Sequence, residues 1–269
     1  MNSKKFVTTL LATAALLCVG AAQATPYPSF TVNAPGFGPF ESFNFQANLI
    51  AGTYNEYLTL TDPTHFSVAL GFTANGFNAG ADSSGGTGSS LGPLTTGLGL
   101  SYNLLALFSG SGTLSTSGGV TTFSLSTGML DFYKDPTLAS TFSFNSGTKV
   151  LSIVGGAPDL LGSGGVVQGS GTANCSNGVN NDCGSFGQTN NIVLTADGHN
   201  FFVTPTSFYG LVITSGNFDS FQPKLGTQNL GGGANAVFAY VPEPTSLALV
   251  GLAMVGLGGV ARRRQQKRD

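Results

Sequence analysis

The 269-residue chain carries 40 glycines, 21 phenylalanines and no tryptophan, and only 8% of its residues are Asp, Glu, Lys or Arg. Its formal charge of −2 conceals a division: from residue 25 to 240 ten acidic residues face three lysines, a formal −7, and every arginine lies in the last eight positions. An acidic body without arginine excludes nucleic acid and anionic membrane surfaces as partners, and Gly plus Pro, about 19% of the chain, falls below the roughly 25–30% that marks disorder.

In chain order, Lys4 and Lys5 precede an apolar stretch from Phe6 to Val19, and Ala22-Gln23-Ala24 supplies a small-x-small cleavage site. Residues 1–24 are therefore predicted to be a secretory signal peptide cut after Ala24. A lipoprotein signal would need a small residue before Cys18, where Leu17 stands. Residues 25–240 are long enough for one all-β domain. Apolar and polar residues alternate in short runs: 43–50, 54–60, 66–72, 102–108, 120–126, 129–133, 141–144, 150–154, 191–196, 201–204, 208–214 and 236–240. A period of two with β-branched and aromatic enrichment is the strand signature. No sustained helical period appears, so the body is expected to be an antiparallel β-sandwich or jelly roll.

Between these runs, the Gly/Ser-rich stretch from Ala79 to Gly99 reads as a loop. Asn145 to Thr148 reads as a hairpin turn, and Asp197-Gly198 as a type I′ turn pairing 192–196 with 199–203. Gly-Ser-Gly-Thr occurs twice, at 110–113 and 169–172, too few copies for a repeat architecture. Cys175 and Cys183 bracket a turn-rich insert without metal-ligand companions, and in an oxidising compartment they are expected to form a disulfide.

No catalytic residues, metal ligands or cofactors are assigned. Gly88-Ser89-Ser90-Leu91-Gly92 has the spacing of a hydrolase elbow but lacks the strand-to-helix setting that exposes the serine. Gly231 to Ala236 mimics a dinucleotide loop that no helix follows. His65 and His199 stand beside turns. Asp131, Asp135 and Asp159 are candidate glycosidase carboxylates that nothing marks out, and Asn177 to Asp182 lacks the ligand alternation of a calcium loop. Without Trp, a sugar-binding platform would rest on Tyr27, Tyr54, Tyr57, Tyr102 or Tyr209.

The C-terminal end is the most specific. Val241-Pro242-Glu243-Pro244 precedes an uncharged run from Thr245 to Ala261, with Leu247 to Ala261 as the predicted membrane span, and then Arg262-Arg263-Arg264. Seventeen residues at about 1.5 Å each make a helix just long enough to cross a bilayer. The basic flank stays on the cytoplasmic side, so the body faces away from the cytoplasm. That order of parts resembles the PEP-CTERM sorting signal, with residues 241–269 as the signal. The resemblance implies processing by exosortase, transient inner-membrane anchoring and delivery to the cell surface or the extracellular polysaccharide matrix.

The body in turn resembles flocculation-associated PEP-CTERM proteins. The matching features are the Cys175–Cys183 element with Gly184-Ser185-Phe186-Gly187, the run Ser207 to Leu211 leading to Ser215-Gly216-Asn217-Phe218, and the late strand before Val241. That likeness implies a non-enzymatic role with exopolysaccharide in flocs or biofilm. The alternatives are a lectin-like carbohydrate-binding module and, third, a secreted glycosidase.

Overall fold

The computed structural model describes residues 27–36, 38, 42–82, 86–175, 183–205, 211–215 and 221–238. The cleavage-site residues Ala22 and Ala24, the span from Leu247 to Ala261, the residues around Pro242 to Pro244 and Arg262 to Arg264, Tyr209, and the Asn177 to Asp182 insert lie outside them. The strands are β1 (Phe30–Pro35), β2 (Ser42–Ala47), β3 (Leu49–Leu60), β4 (His65–Ala79), β5 (Ser89–Leu91), β6 (Asn103–Ser117) and β7 (Val120–Asp135). They continue with β8 (Thr141–Asn145), β9 (Val150–Val154), β10 (Asp159–Ala173), β11 (Gly184–Leu194), β12 (Phe202–Thr204), β13 (Leu211–Ser215) and β14 (Gly226–Phe238). Two short helices, α1 (Pro93–Thr96) and α2 (Ala196–Phe201), complete the described elements.

Eight strands pair antiparallel around one sheet in the order β3, β4, β6, β7, β10, β11, β13, β14, and β14 pairs back onto β3. The antiparallel all-β body is therefore present, as a closed up-and-down barrel in which chain neighbours are sheet neighbours. A jelly roll would cross them in Greek keys. Tight turns explain the meander: Gly118 and Gly119, at φ +59° and +81°, form the two-residue link between β6 and β7, a left-handed pair that suits the twist of a hairpin.

Most inward positions of the barrel strands are apolar and most outward ones small and polar, with Met129, Val167 and Val193 exposed among them. Phe66, Val68, Phe72, Phe108, Phe123 and Leu130 fill the interior. Room for the rings comes from glycine on neighbouring positions. An alanine Cβ at Gly128 would lie 2.7 Å from the Phe108 ring, and one at Gly171 would lie 2.9 Å from Phe186. An apolar interior under a Ser/Thr/Asn exterior is the reverse of a lipid-embedded barrel. No helix among the described residues is long and apolar enough to cross a membrane.

One end of the barrel is plugged. β1, flanked by β12 and β2, buries Phe30, Val32 and Ala34 completely. Phe30 meets the Phe238 ring edge-on at 4.6 Å and Phe202 at 5.8 Å, while Phe45 meets Phe77 at 4.8 Å. Asn48 clips the start of the body to this end. Its Nδ2 donates to the carbonyls of Ala81 (2.8 Å) and Tyr27 (3.3 Å), and its Oδ1 accepts from Ala81 N–H.

The β8–β9 hairpin forms at the expected Asn145 turn, where Asn145 Oδ1 accepts from the N–H groups of Gly147 and Thr148. It lies against the outside of the barrel, stacking Phe144 on Tyr57 at 3.8 Å. The Asp197-Gly198 hairpin does not form. Thr195 caps α2 there by accepting from Gly198 N–H, and the strand that follows, β12, pairs with β1. Asp197 in the first turn adds favourable charge at the helix start, and a side chain at Gly198 would collide with the Leu161 carbonyl. The Ala79–Gly99 stretch, read as a loop, holds β5 and α1.

Candidate functional site

The strands that build the interior also place polar side chains in it. Glu56 on β3 shares the parity of Tyr54 and Leu58, so it points inward and is 7% exposed. From β11, Gln188 and Asn190 also point inward and are buried. Burial pushes the Glu56 carboxyl up to about 8, so it is mostly neutral at pH 7. Gln188 Oε1 and Asn190 Oδ1 have no hydrogen-bond partner among the described residues, although the Asn190 amide donates to the Leu211 carbonyl at 3.4 Å. Each buried acceptor left unpaired costs about 1–3 kcal/mol.

Glu56 and Gln188 border one internal space of about 30 Å³, walled by Phe66, Phe72, Phe108 and Phe186. That volume suits a water-sized guest and excludes a sugar or an organic cofactor. An open groove of about 550 Å³ lies at the end away from the plug, between Leu60, Pro63, Leu114, Thr116 and Leu225. Among the described residues its lining is apolar or hydroxyl-bearing, with Thr64, Ser115 and Thr116 beside Leu60, Leu114 and Pro223.

The other candidate residues are dispersed into structural roles. Asp131 accepts from the Ser163 hydroxyl on the outer face, and Asp159 pairs with Lys134 at 3.3 Å. Asp135 is fully buried. Burial alone would raise its pKa, but hydrogen bonds from the Thr137 hydroxyl and the Ser140 and Thr137 N–H groups hold it well below the usual carboxylate range. Asp62 gathers Thr64 N–H, the Thr64 hydroxyl and His65, which lower it to about 2. This exposed Asp62–His65 pair, 2.9 Å apart, fastens the β3–β4 turn.

His199 sits on α2 and Ser90 lies within β5, paired with Asn78 rather than raised on a turn. Gly231 to Ala236 is strand β14. Among the tyrosines, Tyr54 and Tyr102 are buried, and burial raises the Tyr102 hydroxyl, which donates to the Thr96 carbonyl at 2.9 Å. The Cys175–Cys183 disulfide is formed. Among the described residues no group of three His, Cys, Asp or Glu side chains is placed to hold a metal.

The lumen residues Glu56, Gln188 and Asn190 were missed by the sequence reading. A signal for Glu56 existed, an acid at an apolar parity in the run from Tyr54 to Leu60.

The first and last described segments of the body meet in space. Val237 packs with Leu49, Ala81 and Tyr27, so the body starts and finishes at the plug. Three positions after Phe238, residues 241–265 match a family model described as the PEP-CTERM protein-sorting motif. No curated protein and no solved structure matches the chain. A motif of this kind marks an exported protein that is anchored in the membrane until exosortase processes it.

Proposed function

We propose that the protein is a non-enzymatic component of the extracellular matrix, released by exosortase and retained by exopolysaccharide in flocs or biofilm. The observation that carries this reading is the sorting motif at residues 241–265. It is joined to a barrel in which the described space beside Glu56 and Gln188 is about 30 Å³. Support also comes from the exterior, which is polar but nearly uncharged, so that contact with a hydrated polysaccharide proceeds through hydroxyl and amide groups. The signal peptide before Thr25 and the span from Leu247 to Ala261 deliver the body and hold it until processing. Likeness to flocculation-associated proteins supports the floc role.

The test is the intact mass and C-terminal peptide of protein recovered from washed extracellular polymer and, separately, from inner membrane. A chain starting at Thr25 and ending near Pro242 to Pro244 in the polymer fraction is expected. Full-length protein still carrying Arg262 to Arg264 and confined to the membrane would reduce the motif to a permanent anchor and remove the matrix role.

A further inference from the structure

Glu56 and Gln188 reach one internal space from strands that do not pair, since β14 and β13 stand between β3 and β11. Both side chains are more than nine-tenths buried, at 7% and 5% exposure, and most of the remaining wall is apolar, with Phe66, Phe72, Phe108 and Ile213 among its residues. Main-chain groups of the barrel strands are taken up by the ladders of the sheet. Side chains must therefore supply the polar partners of anything held in the lumen. Gln188 Oε1 accepts from no described donor. Glu56 supplies the complement: burial pushes its pKa up to about 8, so at neutral pH the carboxyl keeps its proton and is both donor and acceptor. A donor and an unmatched acceptor thus border the same cavity without bonding to each other.

We infer that the lumen is a binding site for one internal water, which accepts from the Glu56 hydroxyl and donates to Gln188 Oε1. A space of about 30 Å³ exceeds the roughly 10–15 Å³ that a water requires, and the pair provides the two or more polar partners that keep a buried water in place. Other guests fit the wall less well. A hard cation takes six or more oxygens, which two side chains do not supply. An anion would meet a carboxyl and an amide oxygen with no basic residue in the described wall. An apolar guest would leave Gln188 Oε1 without a donor, the costly arrangement for a buried acceptor. Water alone of these gives and takes a hydrogen bond at once, as the two facing groups demand. Glu56 is then a binding residue of the lumen whose proton orients the guest, and Gln188 is the group that receives it.

The test is oxygen-17 relaxation dispersion of the purified protein at about pH 6, where Glu56 is protonated. The method registers waters held for longer than the protein takes to tumble and, unlike a proton signal, ignores exchanging hydroxyls. E56M/Q188M gives the lumen an apolar wall of similar volume and is expected to lose about one long-lived water relative to wild type, whereas E56Q, which retains a donor and an acceptor, keeps it. An equal count in wild type and E56M/Q188M would overturn the bridge. So would a melting temperature that rises in KCl but not in tetramethylammonium chloride of the same concentration, with E56Q insensitive to both, because that result places a cation beside Glu56. Should E56M/Q188M fail to fold, Q188M alone is read by the same criteria, since it withdraws the acceptor and leaves the water too few partners to be retained.

Discussion

The two ends of the barrel are built from the same eight strands and differ in almost everything else. At the plugged end the connections are long and carry β1, β2, β12, α1, α2 and the β8–β9 hairpin. At the far end β3 and β4 are joined by four residues and β6 and β7 by two, and the β10–β11 and β13–β14 connections are ten residues each. The plug joins its elements through a chain of rings, Phe45, Phe77, Phe30, Phe202, Phe238 and Phe132. At the far end the Phe123 ring meets Phe66 at 5.7 Å and Phe221 at 5.0 Å, and the Cys175–Cys183 bridge ties the β10–β11 connection. Among the described residues, attachment and ring packing concentrate where the chain enters and leaves the barrel.

If so, truncation at the plug should cost most. Phe202 is 1% exposed and meets Phe30, Phe132, Phe201 and Phe238, so F202A is expected to lose about 3–5 kcal/mol in urea unfolding. F221A, which removes a ring of the smaller far-end cluster, should fall at the lower end of that range. Equal losses would erase the distinction between the ends.

The next largest effect separates two buried carboxyls by the sign of their pH dependence. Glu56, in the lumen, is raised from an ordinary 4.5 to about 8. Above pH 4.5 the unfolded chain ionises this group while the folded barrel keeps it protonated. Its contribution is therefore whole below pH 4.5 and lost as pH rises toward 8. At about 1.4 kcal/mol per pH unit, roughly 2–3 kcal/mol should disappear between pH 5 and 7, and E56Q should remove that slope. Asp135, beside the plug, is lowered. Its contribution is present above the ordinary 3.8 and is lost as pH falls below it, so D135N should flatten only the acid limb of a pH titration of stability.

Much of the architecture was legible in the sequence, and what was not failed for physical reasons. The runs from Tyr54 to Leu60 and from Phe66 to Phe72 alternate because one face of each is buried, and both proved to be strands. Strand β10 was missed from Asp159 to Ala173 because glycine supplies its inward positions, and the apolar groups that fill the space belong to neighbours such as Leu125, Phe186 and Ile192. Alternation disappears from a strand that packs by absence. Barrel closure was equally hidden, since it depends on β14 reaching β3, a pairing between the last and first strands of the barrel that no local pattern encodes. The lumen site stayed invisible for the same reason: Gln188 and Asn190 lie on a stretch of β11 whose strand character was not recognised.

At the far end the disulfide offers a smaller, local test. It closes a separation of eight residues, and in the chain-entropy model a loop of that size stabilises by about 2–3 kcal/mol. C175S/C183S is expected to lose that amount in thermal unfolding, with the backbone amides of the plug strands still protected from hydrogen exchange. Loss of protection at Phe30 and Phe202 in the same variant would mean that the two ends unfold as one unit and that the division drawn between them is geometric only.

The smallest effect concerns the residue that changed an expected hairpin into a helix. Thr195 accepts from Gly198 N–H at 3.1 Å and donates to the Leu160 carbonyl at 2.6 Å, so one hydroxyl caps α2 and ties it to β10. T195A should cost about 1 kcal/mol, the ordinary loss of an N-cap, whereas T195S, which keeps the oxygen, should be close to neutral. The pair distinguishes the cap from the intrinsic preference of Asp-Gly for a turn. If T195A released 196–203 into the hairpin that Asp197-Gly198 favours, β12 would leave β1 and the plug would open, giving a loss nearer that of F202A. A loss confined to about 1 kcal/mol means that tertiary packing, with Gly198 against Leu161 and Phe201 and Phe202 buried beneath, selects the helix and the cap only trims its end.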